Sequence, residues 1–106
     1  MRLHGVDIPQ EKIADFCRRN HIRKLSFFGS FLRDDFRPDS DIDVLVEYEP
    51  GHAPGFLRLY DMEQELSAIL GGRKIDLATE KFLNHRLRDR ILASREPVYA
   101  EGNPGF

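Results

Sequence analysis

Two aspartates, Asp41 and Asp43, open an apolar stretch that continues as residues 44–46. Such a stretch predicts a β-strand, on which residues two apart point to the same face, roughly 6.5 Å apart along the chain. Carboxylates placed in this way repel each other by about 1–4 kcal/mol in solvated surroundings, and a bound cation removes that cost. The pair therefore predicts a magnesium site for phosphoryl or nucleotidyl transfer. The alternative is that Asp41 belongs to a turn cap with Ser40 and that Asp43 faces solvent.

A glycine-serine turn, Gly29-Ser30, precedes this pair, with ten residues between Ser30 and Asp41. Glycine lets the main chain approach a ligand closely, and the serine hydroxyl can add a hydrogen bond to phosphate or a contact to metal. Alone, such a turn is common and carries no function, but before two strand aspartates it favours a phosphate-binding turn. Arg33 and Arg37 lie between the two motifs, where either could hold a triphosphate or simply cover the surface; Arg33 is the stronger candidate.

A third carboxylate, Asp76, stands between two apolar residues on another predicted strand. A lone acid in that setting normally faces solvent. If the strands at 41–48 and 73–78 are neighbours, however, Asp76 completes a triad, as a ligand of a second metal ion or as the acceptor of a proton from an attacking hydroxyl. Lys74 would share its strand face and could reach a nucleotide, the alternative being a solvated lysine.

The elements that must position these residues alternate between helix and strand. The apolar periodicity and the positions of proline and glycine predict helices over 9–20, 31–35, 56–70 and 80–94 and strands over 22–28, 41–48, 73–78 and 97–100. This order predicts a small sheet covered by helices in one compact α/β domain, residues 1–106, with a frayed tail at 101–106.

The apolar residues of two predicted helices indicate which faces pack against the sheet. In the first helix they are Ile13, Phe16 and Cys17, and in the helix over 56–70 they are Phe56, Leu59, Tyr60, Leu66, Ile69 and Leu70. Cys17 is the only cysteine, so a disulfide within the chain is excluded, and we expect it to be a buried packing residue.

Composition narrows the classes of function. The chain of 106 residues has 16 basic and 18 acidic residues, so direct nucleic-acid binding through a strongly basic surface is not expected. No apolar stretch approaches the roughly 20 residues that span a bilayer, which predicts no membrane association. The N-terminus lacks an apolar signal core, which predicts a cytoplasmic protein.

The two motifs resemble the minimal nucleotidyltransferase family, the smallest branch of the DNA polymerase beta-like nucleotidyltransferases. The matching stretches are Phe28–Arg33 and Arg37–Val46, with the family's spacing between Gly-Ser and Asp-X-Asp, and residues 74–77 resemble its third-carboxylate strand. The likeness runs from about Ile13 to Tyr99, nearly the whole chain.

That resemblance implies a mixed sheet with flanking helices, ATP as co-substrate, two Mg²⁺ ions and transfer of AMP to a hydroxyl. Asp41 and Asp43 would be metal ligands, and Asp76 the third ligand or the base. Gly29 and Ser30 would hold the triphosphate.

The resemblance also implies a partner. Members of the family are often the antitoxin of a bacterial or archaeal toxin–antitoxin pair, whose toxin is a small helical HEPN ribonuclease silenced by adenylylation of a tyrosine. A single domain of this size has no room for a substrate domain, which favours a protein acceptor. Two alternatives remain: an antitoxin that acts by complex formation alone, and a nucleotidyltransferase for a small molecule such as an aminoglycoside.

One stretch departs from the family pattern. Many relatives have Gly-Ser-Arg-Ala-Arg-Gly, where this chain has Gly-Ser-Phe-Leu-Arg-Asp-Asp. The later arginine survives as Arg33, whereas Phe31 and Asp34 replace the earlier arginine and the glycine. The change weakens a phosphate role for position 31 and leaves the three aspartates intact.

Overall fold

A four-stranded sheet forms the frame of the molecule. The computed structural model describes residues 2–34, 36, 37, 39–52, 54–79, 89 and 95–100. Within them lie the strands β1 (Arg2–Leu3), β2 (Val6–Asp7), β3 (Ile22–Phe28), β4 (Ile42–Tyr48), β5 (Ile75–Thr79) and β6 (Glu96–Ala100), the helices α1 (Gln10–Arg19) and α2 (Phe56–Ile69), and a 3₁₀ helix at Gly29–Leu32.

The sheet is mixed, as expected from the family resemblance. Its strand order is β5-β4-β3-β6, and β3 pairs antiparallel with both β4 and β6, whereas β4 and β5 are parallel. A parallel pair needs a long crossover connection, and α2 supplies it here. The separate β1–β2 hairpin was not predicted, because strands of two residues are too short to show a periodic pattern.

Alternation along the strands gives the sheet two different faces. Val44 of β4 pairs with Phe27 of β3 on the apolar face, and both are fully buried. Helices α1 and α2 cover this face with the buried side chains Ile13, Phe16, Cys17, Met62 and Leu66. Because neighbouring residues of a strand point to opposite faces, Asp43 lies on the face away from these two helices.

Helix α2 has the predicted bounds to within one residue, but one of its predicted core residues is wrong. The residues that pack inward are Met62, Leu66 and Leu70, spaced four apart, while Tyr60 is 60% exposed and Leu57 is 81% exposed. Residues two apart on an α-helix differ by about 200° in direction, so an inward Met62 turns Tyr60 outward.

Cys17 is a packing residue, as predicted. Its side chain is fully buried in the core, and this burial raises the pKa of the thiol to about 12. A thiol so protonated is a poor nucleophile, so Cys17 provides no second reactive site.

Two predictions lie largely outside the described residues: of the helix over 80–94 only Asp89 is described, in helical conformation, and the tail over 101–106 is not. Among the residues that the structure does describe, none of the helices combines the length and apolar character needed to cross a bilayer.

Candidate active site

Parallel pairing of β4 with β5 brings two of the three predicted carboxylates side by side. Asp43 and Asp76 are direct partners in the register of the two strands. Paired residues on neighbouring parallel strands point to the same face and are about 4.8 Å apart across the sheet. The condition under which Asp76 could join the site, that the two strands be neighbours, is therefore met.

Asp41 lies just before β4, where the hydrogen bonding between the strands continues. The amide of Ile42 donates to the carbonyl of Lys74 at 2.9 Å, which keeps Asp41 next to β5. The ammonium of Lys74 is 3.9 Å from Asp41 Oδ2, and the two side chains are 81% and 41% exposed. An ion pair so exposed adds little to stability. Its effect is to place one positive charge beside Asp41.

Gly29 lies against the carboxylate of Asp43. Its φ is +66°, in the region that favours glycine, and a Cβ built on it would overlap Asp43 Oδ2 and lie 3.2 Å from Asp43 Cγ. Position 29 therefore requires glycine for two reasons: the backbone conformation and the carboxylate packed against it. The Gly-Ser turn and the aspartate pair, separated in sequence, form one site in the fold.

The turn after Gly29 is anchored by aromatic packing. The 3₁₀ helix begins at Gly29, two residues before the short helix predicted over 31–35, and includes Ser30. Phe31 is fully buried, with its ring centroid 4.9 Å from that of Phe27 and 5.0 Å from that of Phe36. Phe31 is thus a core residue that fixes the turn, in agreement with a weakened phosphate role at this position.

The two candidate arginines lie on the segment that joins the turn to β4. Arg33 follows the 3₁₀ helix directly and is exposed. Arg37 is also exposed, and its main chain forms a closed turn with Ser40: the Arg37 amide donates to Ser40 Oγ at 3.1 Å, and the Ser40 amide donates to the Arg37 carbonyl at 3.0 Å. Both arginines are therefore on the surface near the start of the Asp-X-Asp strand.

Comparison with known proteins identifies the family. Residues 10–98 match the model of the nucleotidyltransferase domain. This chain belongs to the nucleotidyltransferase family. It is 36% identical over 78 residues to the protein adenylyltransferase MntA of Thermococcus cleftensis, a match that covers 74% of each chain.

Solved structures agree with this assignment. A candidate minimal nucleotidyltransferase is 32% identical to this chain with a TM-score of 0.69, over 83% of this chain and 87% of the other. The complex of a tri-AMPylated Shewanella oneidensis HEPN toxin with an MNT antitoxin gives a TM-score of 0.63 at 19% identity, covering 86% of this chain and 69% of the matched chain. The first likeness supports the family, and the second, at its low identity, supports the fold alone.

The nucleotidyltransferase has a further acid beside Asp76 that the sequence analysis missed. Glu63 of α2 is half-buried and accepts a hydrogen bond from the Leu77 amide. Burial and the nearby Asp76 raise its pKa, while the Leu77 hydrogen bond and Lys74 oppose the rise. In sequence, Glu63 looks like an ordinary acid on a helix surface; the packing of α2 against β5 brings it near enough to Asp76 for the two charges to interact.

The aspartates of the nucleotidyltransferase fit a magnesium ion. Across the described residues, no three His, Cys, Asp or Glu side chains are grouped as a ready-made metal cage. Mg²⁺ does not require one, because it commonly binds one or two carboxylates and completes its shell with water and substrate phosphates. The carboxylates of Asp43 and Asp76 on one face, with Asp43 against the main chain of Gly29, suit such an open site.

Proposed function

We propose that this nucleotidyltransferase is a cytoplasmic antitoxin that transfers AMP from ATP to a tyrosine hydroxyl of a cognate HEPN ribonuclease toxin, using two Mg²⁺ ions. The main support for the proposal is the pairing of Asp43 with Asp76 on neighbouring strands, with Gly29 packed against the Asp43 carboxylate. The protein adenylyltransferase activity named for the Thermococcus relative, and the AMPylated toxin in the Shewanella complex, support the choice of reaction and acceptor.

The carboxylates have distinct roles in the proposed reaction. Asp41 and Asp43 hold the metal ions, and Asp76 either completes the ligand set or accepts the proton of the attacking hydroxyl. Bound Mg²⁺ would polarise the α-phosphate and neutralise the charge that develops on it. The tyrosine oxygen forms a bond to the α-phosphorus as the bond to pyrophosphate breaks, and the hydroxyl proton leaves for Asp76 or water.

The triphosphate would lie along the Gly29-Ser30 turn. Because Gly29 has no side chain, phosphate oxygens can approach its main chain closely. Arg33, exposed at the end of the 3₁₀ helix, would neutralise part of the triphosphate charge. The Asp43 carboxylate lies against Gly29, so a cation held by Asp43 would be needed to offset its repulsion of the triphosphate.

The exposure of the carboxylates suits a protein acceptor. Asp76 is exposed, and 41% of the Asp41 side chain is accessible. Small-molecule substrates are usually enclosed in a cleft that buries most of their surface, whereas a tyrosine presented by a folded partner needs an accessible site.

The test is to incubate the chain with the HEPN protein encoded beside it, ATP and Mg²⁺, and to measure the mass of the toxin. We expect increments of one adenylyl group, and tandem mass spectrometry should locate them on tyrosine. A toxin that stays unmodified while still binding this chain would contradict the proposal.

A double variant, Asp41→Asn with Asp43→Asn, separates catalysis from binding. We expect it to fold and bind the toxin but to leave the toxin unmodified and active. If the double variant still neutralises the toxin, complex formation alone is the mechanism.

A further inference from the structure

Arg73 lies between α2 and β5, and its main chain is tied to the helix. The hydroxyl of Ser67, in the last turns of α2, donates to the Arg73 carbonyl at 2.5 Å. The amide of Gly72 donates to the Ser67 carbonyl at 2.8 Å, so the chain reverses tightly before Arg73. The backbone of Arg73 is therefore held by the core of the domain rather than by the loop that its side chain contacts.

The guanidinium of Arg73 reaches across to the segment that leads into Asp41. It donates to the carbonyls of Arg37 at 3.0 Å and Ser40 at 3.1 Å, and it lies 4.9 Å from the centroid of the Phe36 ring. One planar group thus bridges two carbonyls and stacks on a ring. Both hydrogen bonds leave the same nitrogen, Nη2, so a lysine ammonium could donate to the two carbonyls, but it lacks the planar guanidinium that lies over the Phe36 ring.

These contacts act on both motifs of the site. Ser40 is the residue immediately before Asp41, so holding its carbonyl sets the direction in which the chain enters β4. Phe36 packs edge-on against Phe31, which belongs to the 3₁₀ helix that begins at Gly29. A shift of Arg73 would therefore move the Asp41 side of the site first.

We propose that Arg73 is a positioning residue for the metal side of the site: it fixes the Ser40 carbonyl and so holds Asp41 next to Asp43 for a divalent cation. This inference rests on the proposed metal role of Asp41. Groups that orient metal ligands typically change metal affinity by about 10–100-fold when they are removed. We expect the lower end of that range, because Arg73 acts through the backbone of a neighbouring residue.

The experiment measures binding of Mn²⁺ alone to the full chain, from the electron paramagnetic resonance signal of the free ion. Arg73→Gln removes the charge and the planar fork, and Arg73→Lys keeps the charge as a milder change in case the first variant folds poorly. Arg58→Gln is the matched control, because Arg58 donates at 2.8 Å to Asn20 Oδ1 and links α2 to the end of α1, away from the site. Asp41→Asn serves as the positive control, and thermal denaturation checks the fold of each variant.

We expect Mn²⁺ affinity to fall about tenfold in Arg73→Gln, to fall less in Arg73→Lys, and to stay unchanged in Arg58→Gln at a comparable loss of thermal stability. Equal affinities for wild type and both Arg73 variants, with Asp41→Asn defective, would overturn the role of Arg73 and leave the metal site standing. Unchanged Mn²⁺ binding in Asp41→Asn would instead refute the metal role of Asp41, and with it the role of Arg73.

Discussion

The two ends of β4 carry acidic residues with different neighbours. Glu47 has arginine partners: Arg95 at 3.2 Å, with side chains 19% and 11% exposed for Arg95 and Glu47, and Arg23 at 3.7 Å. Asp43, four residues earlier on the same face, has Asp76 as its strand neighbour. An acid paired with arginines stabilises the fold, whereas acids placed against each other cost stability and require a function to explain them. Under the proposed function, the comparison separates a structural carboxylate from candidate catalytic ones. We call the Asp43 end of β4 its catalytic end and the Glu47 end its structural end.

Asp43→Asn tests the catalytic end. Loss of one metal ligand should remove several kcal/mol of transition-state stabilisation, which corresponds to a fall of about 100- to 1,000-fold in the rate of AMP transfer. Asparagine keeps the size of the side chain and one of its oxygens and removes repulsion from Asp76, so the free energy of unfolding should change little. Single-turnover rates and chemical denaturation measure the two effects. A large loss of stability would mean that Asp43 is a structural acid like Glu47.

Gly29→Ala tests the contact between the two motifs. The new Cβ would displace the Asp43 carboxylate, and a misplacement of about 1 Å can cost roughly 100-fold in rate. Gly51→Ala is the matched control: its φ is +80°, but an added Cβ there meets nothing within 4 Å. Both variants should lose about 1–2 kcal/mol of stability from backbone strain, and only Gly29→Ala should lose activity. Equal rates for the two variants would argue against the contact.

Glu47→Gln tests the structural end. It leaves the largely buried Arg95 without its charged partner, so the free energy of unfolding should fall by about 1–3 kcal/mol while the rate of AMP transfer per folded molecule is retained. Glu49, 3.2 Å from His21 and with 32% of its side chain exposed, gives a control whose substitution by Gln should cost less than about 1 kcal/mol. Chemical denaturation measures the free energy of unfolding of both variants, and equal losses would contradict a structural role for Glu47.

Glu63→Gln should have the smallest effect, and the effect should depend on pH. The folded chain raises the pKa of Glu63 above its ordinary 4.5 through burial and Asp76. In the interval just above pH 4.5 the folded chain binds more protons than the unfolded chain, so this group lowers stability as pH rises. Glu63→Gln lacks that loss and should gain in melting temperature relative to wild type across the interval. A difference that is constant with pH would contradict the raised pKa.

Local pattern predicted the elements that form the catalytic end. Strand β3 and helices α1 and α2 have their predicted bounds to within one residue, since each contains a strong apolar periodicity. The predicted strand over 41–48 begins one residue late, at Ile42, which leaves Asp41 in the turn before it. Residue type and spacing therefore selected Gly29, Ser30 and the two aspartates as candidate site residues, and their roles stay a prediction.

Contacts between residues that are distant in sequence could not be predicted from local pattern. The pairing of Asp43 with Asp76 depends on two strands more than 25 residues apart in sequence becoming neighbours, and no local pattern encodes their register. Glu63 and Arg73 each reach the site from an element whose own periodicity gives no reason for it. Tyr60 shows the same limit: this aromatic residue, two positions before the buried Met62, was expected in the core and lies outside it.

The most direct test of the whole account is the mass of the HEPN partner after incubation with ATP, Mg²⁺ and each of three chains: wild type, Asp43→Asn and Glu47→Gln. At an incubation time just sufficient for wild type to modify the toxin fully, we predict adenylyl additions by wild type and by Glu47→Gln, and at most traces by Asp43→Asn. Equal modification by Asp43→Asn and wild type would contradict the claim that the carboxylates beside Gly29 carry the reaction.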